Sequence, residues 1–490
     1  MEFSKILAVL LASLLTAQAE EMFTNSANLC TRCQCTQTSV FLLECQNRDF
    51  KHTIANWPEH TIPLTASFSY NDMPHLEQLP DSDLVQKVIL SHCRIETIAN
   101  GAFKPVKNLL FLDLSYNQLT TKELPPEIFK GPYNNTVYEP LALEDLNLAY
   151  NQIHSLHHNL FEHVAQLKQL NLEGNDFKVL DQPTQFALSS LTELEVLNLG
   201  NNELTELVGN AIRSLQKLRI LDLSRNKIDF VPETLSLLSD SLEALYLDHN
   251  WILEITDESF LGVQGIRILS LTNLQRLQNI NANSFKPLQN LSILYLSDNP
   301  RLTTIDRDSF AVNQSLEELY IHNNSLVDLH YSLTNWSSLK LLNLKGNDLY
   351  CDCDLYKISQ DLKAEIKVDK DGPICINPIN ETTMMIYDLT EEACKFQNLV
   401  RGNLISNGMK IGFEYNDLKT VSGNLRLPSV GLVDVYERKP GGPYFFYNGL
   451  FLPRFETYLL YLTRRNVCLC LRTWGLPTYF VFHLKSLNKL

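Results

Sequence analysis

Between residues 218 and 252 the chain writes one hydrophobic pattern twice. Leu218, Leu221, Leu223 and Ile228 recur as Leu242, Leu245, Leu247 and Ile252, and Asn226 recurs as Asn250, a step of 24 residues. The pattern is L-x-x-L-x-L-x-x-N-x-I. Its L-x-L segment predicts a short strand with both leucines on one face. The asparagine turns the chain, and its side-chain amide can serve backbone groups of neighbouring turns. One such unit cannot bury its apolar face alone, so the units must stack. The turn position recurs at 71, 93, 117, 151, 175, 202, 226, 250, 274, 299, 324 and 347, giving about twelve units over 64–350. Nine of the eleven steps lie between 22 and 25 residues, so the period is real. Ten of these positions are asparagine; Cys93 is an accepted substitute, and Leu274 is expected to weaken its turn. Phe103, Phe129, Phe161, Phe186, Phe260, Phe285 and Phe310 fall on the return path, where they are expected to fill the core. Return segments this short predict irregular or one-turn helical structure. The fold class is an α/β solenoid with a parallel sheet on its concave face.

The cysteines lie at the two ends of this block. Cys30-x-x-Cys33-x-Cys35 and Cys45 precede it; Cys351-x-Cys353, Cys375 and Cys394 follow it. Zinc competes with disulfides for a C-x-x-C motif, and four cysteines allow three pairings. Leucine-rich repeats with these flanking cysteines resemble extracellular proteins with N- and C-terminal cysteine caps, the Toll/Slit/chaoptin-like group. The resemblance covers about residues 28–394. It implies a horseshoe with disulfide-bonded caps, Cys30 paired with Cys35, Cys33 with Cys45, Cys351 with Cys375, and Cys353 with Cys394. The expected organisation is an N-terminal cap at 20–63, repeats at 64–350, a C-terminal cap at 351–394 and an unassigned basic tail at 395–490.

The first residues read as an address. Lys5 precedes the apolar run Ile6 to Leu15, and Ala17-Gln-Ala19 has the form of a cleavage site, so 1–19 is read as a signal peptide. No apolar run reaches the roughly 18 residues of a spanning helix. The expected location is the extracellular space, with cell-surface association left open. Six N-x-S/T sequons support export, at Asn134, Asn290, Asn313, Asn323, Asn335 and Asn380. The net charge of −15 argues against a nucleic-acid partner. That charge is unevenly spread, because the tail alone carries 13 basic and 5 acidic residues. The tail reads as a small domain, a basic segment folding back on the acidic repeats, or sequence replacing an anchor.

No catalytic motif has good spacing. His154, His157, His158 and His163 are the densest histidine group, but they follow the Asn151 turn on the way to the outer side, so no metal, cofactor or enzyme activity is assigned. The step of 34 residues marks an insertion, Lys122 to Pro140, readable as a binding element or a solvated excursion. Binding is instead assigned to the sheet. The residue between the two core leucines forms a column running Asp113, Asn147, Asn171, Asn198, Asp222, Tyr246, Ser270, Tyr295, Tyr320 and Asn343. The partner-binding candidates are Tyr246, Tyr295, Tyr320, Asp248, Glu318 and Asp222, since tyrosine is enriched at interface hot spots. The expected ligand is a protein, with a basic one favoured by the acidic field, and a homo- or hetero-dimer is compatible with the scaffold. The function expected from the resemblance is secreted recognition, in immune sensing, adhesion or matrix organisation. The alternative is the ectodomain of a membrane-attached receptor or adhesion protein whose anchor is absent from this form.

Overall fold

The structure is a computed structural model that describes residues 26–310, 315–362, 372–378 and 381–396, together with the backbone of six strands between 425 and 484. The leader at 1–19, Asn313 and Asn380 lie outside the described residues, as do the side chains of the tail. The chain forms two compact units, one of 1–326 with 332–346 and one of 327–331 with 347–490.

In the first unit the repeats build one sheet. Twelve parallel strands follow each other in sequence order, from Leu64–Ser67 and Val85–Ile89 to Glu318–Tyr320 and Leu341–Asn343. The central residue of each L-x-L strand pairs with its equivalent in the next repeat, as in Leu197 to Leu221 to Leu245 to Leu269 to Leu294 to Leu319. These leucines are fully buried. Each deleted side chain would therefore leave a cavity costing about 2–5 kcal/mol.

The turn asparagines form a buried amide ladder. Asn226 donates to the carbonyls of Leu223 at 3.0 Å and Leu199 at 2.9 Å, and accepts from the Leu204 amide at 2.9 Å. Asn250 repeats this one rung on, with Leu247, Leu223 and Ile228. Only a short side chain with both donors and an acceptor fits all three roles. Cys93 supplies part of the set, its thiol donating to the Phe68 carbonyl at 3.1 Å. Leu274 supplies none of it; it is buried, and its own amide donates to Asn299 at 2.6 Å.

The return side is irregular, as its short length dictates. It contains the helix Gln182–Ser189, 3-10 turns such as Glu233–Leu238, and a small parallel sheet of Glu254–Ile255, Asn279–Ile280 and Thr304–Ile305. Phe103, Phe129, Phe161, Phe260, Phe285 and Phe310 are buried as expected. Phe186 is not: it is 56% exposed, because the helix buries Thr184, Ala187 and Leu188 instead. Phe177 is buried two residues past the Asn175 turn, in the position that Ile228 and Ile252 hold in their repeats. Within the 122–140 insertion, Phe129 returns to the core and stacks on Phe103, with ring centroids 5.9 Å apart. The exposed tip is a short hairpin in which Tyr133 bridges to Tyr138.

At the N-terminal end Cys30 is bonded to Cys35 and Cys33 to Cys45, and the antiparallel pair Gln34–Gln37 and Phe41–Glu44 joins the sheet through Leu64–Ser67. In the second unit Cys351 is bonded to Cys375 and Cys353 to Cys394. Its helix Cys353–Asp361 is capped by Asp352, which accepts from the Leu355 amide at 2.8 Å. The tail strands form an antiparallel sheet in the order Leu425–Leu427, Gly431–Glu437, Leu476–Leu484, Asn466–Thr473, Thr457–Leu462, with Phe445–Phe446 beside Gly431–Glu437.

Candidate functional site

The parallel register turns periodic positions into columns on the exposed sheet face. Asp113, Asn147, Asn171, Asn198, Asp222, Tyr246, Ser270, Tyr295, Tyr320 and Asn343 are aligned rung by rung. Their chemistry divides in two. Asp113, Asn147, Asn171, Asn198, Asp222 and Asn343 each accept the main-chain N–H two residues on, at 2.8–3.2 Å. These side chains close a local Asx turn at the strand end. The Asn/Asp richness of this column is therefore local capping, and Asp222 spends an oxygen on the Ser224 amide.

Tyr246, Tyr295 and Tyr320 stand in the same column and cannot cap. Tyr295 and Tyr320 stack, with centroids 4.7 Å apart and planes 17° from parallel. The Tyr320 hydroxyl donates to Glu318 at 2.9 Å. Burial, reinforced by the Glu318 bond, pushes the Tyr320 phenol up to about 12. Tyr246 is separated from that pair by the short Ser270, and burial followed by Asp222 raises its pKa. Asp248 does not face a partner freely. It accepts from the Ser270 hydroxyl and the Thr272 amide, both at 2.6 Å, and so caps the next repeat, where Ser270 stands in the capping column. Its burial raises its carboxyl pKa. The structure thus brings Tyr295, Tyr320 and Glu318 into one contact group, places Tyr246 two rungs away, and ties Asp222 and Asp248 to the backbone.

Sequence reasoning missed two features. The first is aliphatic. Val196, Ile220, Ala244, Ile268 and Ile293 align in the column beside the tyrosines, and Ile220 is 37% exposed. An outward strand position is ordinarily polar in a half-buried strand, and that departure was the available signal. Along its flank, exposed charges alternate: Arg219 bonds Glu243 at 3.0 Å and lies 4.0 Å from Glu195.

The second is aromatic. Tyr70, His92, Tyr116 and Tyr150 each precede a turn residue by one position. Their rings stack in series with centroids 4.5, 4.3 and 4.3 Å apart. All four have left-handed backbones, with φ of 61°, 57°, 54° and 53°. Such φ values cost a non-glycine residue about 1–3 kcal/mol, and each stacked pair returns about 0.5–1.5 kcal/mol. The ladder ends where Tyr150 donates to Glu173 at 2.7 Å, a bond that leads in raising its pKa to about 12. The next rung is Gly174, where an added Cβ would meet the Tyr150 ring at 2.5 Å.

Among the described residues, no group of three or more His, Cys, Asp or Glu could hold a metal; of the predicted cluster, His157 and His158 lie ring to ring, and His163 meets the edge of Tyr138. Cys93 is buried, and burial pushes its thiol up to about 11, so it packs as an inert side chain. No helix among the described residues is long and apolar enough to cross a membrane.

Comparison with known proteins places the repeats. A family model described as Leucine rich repeat matches residues 136–177, 181–235, 240–300 and 289–349, and one described as Leucine Rich Repeat matches 108–131. Podocan-like protein 1 of Mus musculus is 32% identical over 189 residues, 38% of this chain and 31% of that protein. Lumican of Gallus gallus is 30% identical over 223 residues, 44% and 59% of the two chains, and osteomodulin of Bos taurus is 27% identical over 273 residues, 51% and 60%. The chain thus spans less than two thirds of each relative. Among solved structures, the Toll–Spatzle complex of Drosophila is similar at 18% identity and a TM-score of 0.45, covering 68% of this chain and 51% of that one. The repeat matches, the parallel sheet and the cysteine pairs that flank it in sequence make this chain a leucine-rich repeat protein with disulfide-bonded cysteine pairs on both sides of its repeats.

Proposed function

We propose that the chain binds a protein partner outside the cell through the exposed face of its sheet, with no catalytic step. The surface runs from Val196 and Ile220 through Tyr246 to the Tyr295–Tyr320 stack. One observation carries this reading. Six other rungs spend the same column position on an Asp or Asn that caps the strand end. Tyr246, Tyr295 and Tyr320 give up that cap in favour of large, half-exposed amphipathic rings beside an aliphatic column. Giving up a local hydrogen bond worth about 0.5–1.5 kcal/mol for a ring on the surface serves recognition better than folding.

The partner that fits is a protein presenting an apolar ridge with polar margins, and the acidic repeats favour a basic one by steering. Recognition in adhesion, immune sensing or matrix organisation is the role that the resemblance to disulfide-capped repeat proteins supports. Membrane attachment through a separate anchor is the second reading of how the surface is displayed. The test is a capture experiment from extracellular fluid with the tagged chain. Tyr246→Ala with Tyr320→Ala should reduce capture at least tenfold while secretion stays normal, a loss of about 1.4 kcal/mol or more. Unchanged capture would move the surface elsewhere, and the paired variant Tyr70→Ala with Tyr116→Ala then tests the aromatic ladder.

A further inference from the structure

Two sequons on described residues bracket the stacked tyrosines. Asn290 lies three residues before the strand Ile293–Tyr295, at its leading edge; Asn323 lies three residues after the strand Glu318–Tyr320, at its trailing edge. Those two strands are adjacent rungs, so the asparagines stand on opposite margins of the one place where Tyr295 stacks on Tyr320. Both side chains are exposed. The Asn290 amide donates to the Gln264 carbonyl at 3.1 Å, and the Asn323 amide to Asp298 at 2.8 Å. Asn323 has a left-handed backbone, φ 54°, which asparagine tolerates, and it packs inward against Gly346, where a Cβ would collide with it. By contrast, the sequence holds no sequon between Asn134 and Asn290, so the strands from Gln169 to Tyr246 carry none on the segments that lead into or out of them.

We propose that Asn290 and Asn323 both carry N-linked oligosaccharides, and that these glycans wall the Tyr295–Tyr320 end of the sheet face on its two strand edges. In the modification, Nδ2 attacks the anomeric carbon of a lipid-diphosphate-linked oligosaccharide supplied by the exporting cell. The nitrogen–carbon bond forms, the carbon–oxygen bond to the diphosphate breaks, the diphosphate leaves, and the amide loses one of its two protons. The remaining N–H can still donate to Gln264 or Asp298, so the folded contacts survive. The consequence concerns the partner's path. Walled on both edges, the tyrosine stack accepts a partner lying along the columns, toward Tyr246 and Ile220, and excludes one laid across the strands. This inference rests on the sheet face being the recognition surface, and it specifies how that surface is approached.

The test needs no partner. The full chain is secreted from mammalian cells, and glycopeptides spanning Asn290 and Asn323 are read by mass spectrometry. Tyrosine iodination rates are then compared before and after endoglycosidase trimming of the folded protein, which leaves one sugar on each asparagine and creates no new carboxylate. Occupied sites at both asparagines, with a severalfold faster iodination of Tyr295 and Tyr320 after glycan trimming and no change at Tyr70 and Tyr116, is the expected result. An unmodified asparagine at either position overturns the proposal, as do iodination rates that ignore glycan trimming. Enzymatic trimming avoids dependence on Asn290→Gln or Asn323→Gln variants that fail to be secreted. Because no partner enters, a failure here is distinct from unchanged capture by the tyrosine variants.

Discussion

At the scale of single residues, the same side-chain type does different work one rung apart. Asp222 caps its own strand end, whereas Asp248 caps the following repeat through Ser270 and Thr272. Asp248 pays for its place through desolvation, which raises its pKa. The folded state therefore binds its proton more readily than the unfolded chain does. This group's contribution to stability is largest below its unfolded pKa and is lost as pH rises through the raised folded value. Asp248→Asn keeps an acceptor for Ser270 and Thr272 and removes the charge. It should match or exceed the parent Tm at pH 7 and flatten the fall in Tm between pH 4 and 7. Asp248→Ala leaves both donors unserved and should cost about 1–3 kcal/mol. Thermal melts at the two pH values check both variants. Neither capping role was legible in the sequence, where Asp222 and Asp248 read as partner-binding candidates on the sheet face. A capping carboxylate and a ligand-facing one have the same spelling, and only the direction of the bond separates them.

At the scale of elements, the repeat itself was legible because one period sets strand, turn and core together. The L-x-L spacing fixes which leucines face in, and the asparagine fixes where the chain turns. Phe186 was misplaced because the local helix Gln182–Ser189 overrides the repeat's ordinary return path. The aromatic ladder was missed although its spelling was periodic, with Tyr70, His92, Tyr116 and Tyr150 each one position before the turn at 71, 93, 117 and 151. That position reads as loop, and only the shared left-handed backbone shows why four rings in it must stack. Gly174 ends the ladder for two reasons, its φ of +66° and the Tyr150 ring lying over it. Gly174→Ala should therefore lower stability by about 1–3 kcal/mol and displace Tyr150 from Glu173. Denaturant titration reads the first effect. The second appears as a phenol that ionises below about 12 in an ultraviolet titration.

At the scale of the whole molecule, a stack of repeats is held by nearest neighbours, and its ends need closing. The second unit carries two disulfides around the helix Cys353–Asp361 and the hairpin of Ile374–Ile376 with Thr383–Met385. Cys351 is fully buried, so losing its bond removes a constraint and leaves an unpaired interior thiol. Cys351→Ser should cost about 2–5 kcal/mol and appear as intracellular retention of the tagged chain, measured as the ratio of medium to lysate. Charge divides along the chain as well, with an excess of eight basic residues after 394 against a chain total of −15. Cooperativity is the remaining question at this scale, since such stacks can lose one end before the other. Here the Tyr70–Tyr150 ladder has a consequence for observation. Rings held face to face in a fixed chiral array give a near-ultraviolet circular dichroism that disappears when specific packing is lost. They occupy only the first rungs of the sheet, and no tryptophan lies between Trp57 and Trp251. The ladder therefore adds tyrosine ellipticity from the first rungs to that of the Tyr295–Tyr320 stack, and both are distinguishable by wavelength from the buried Trp336 near the far end of the repeats.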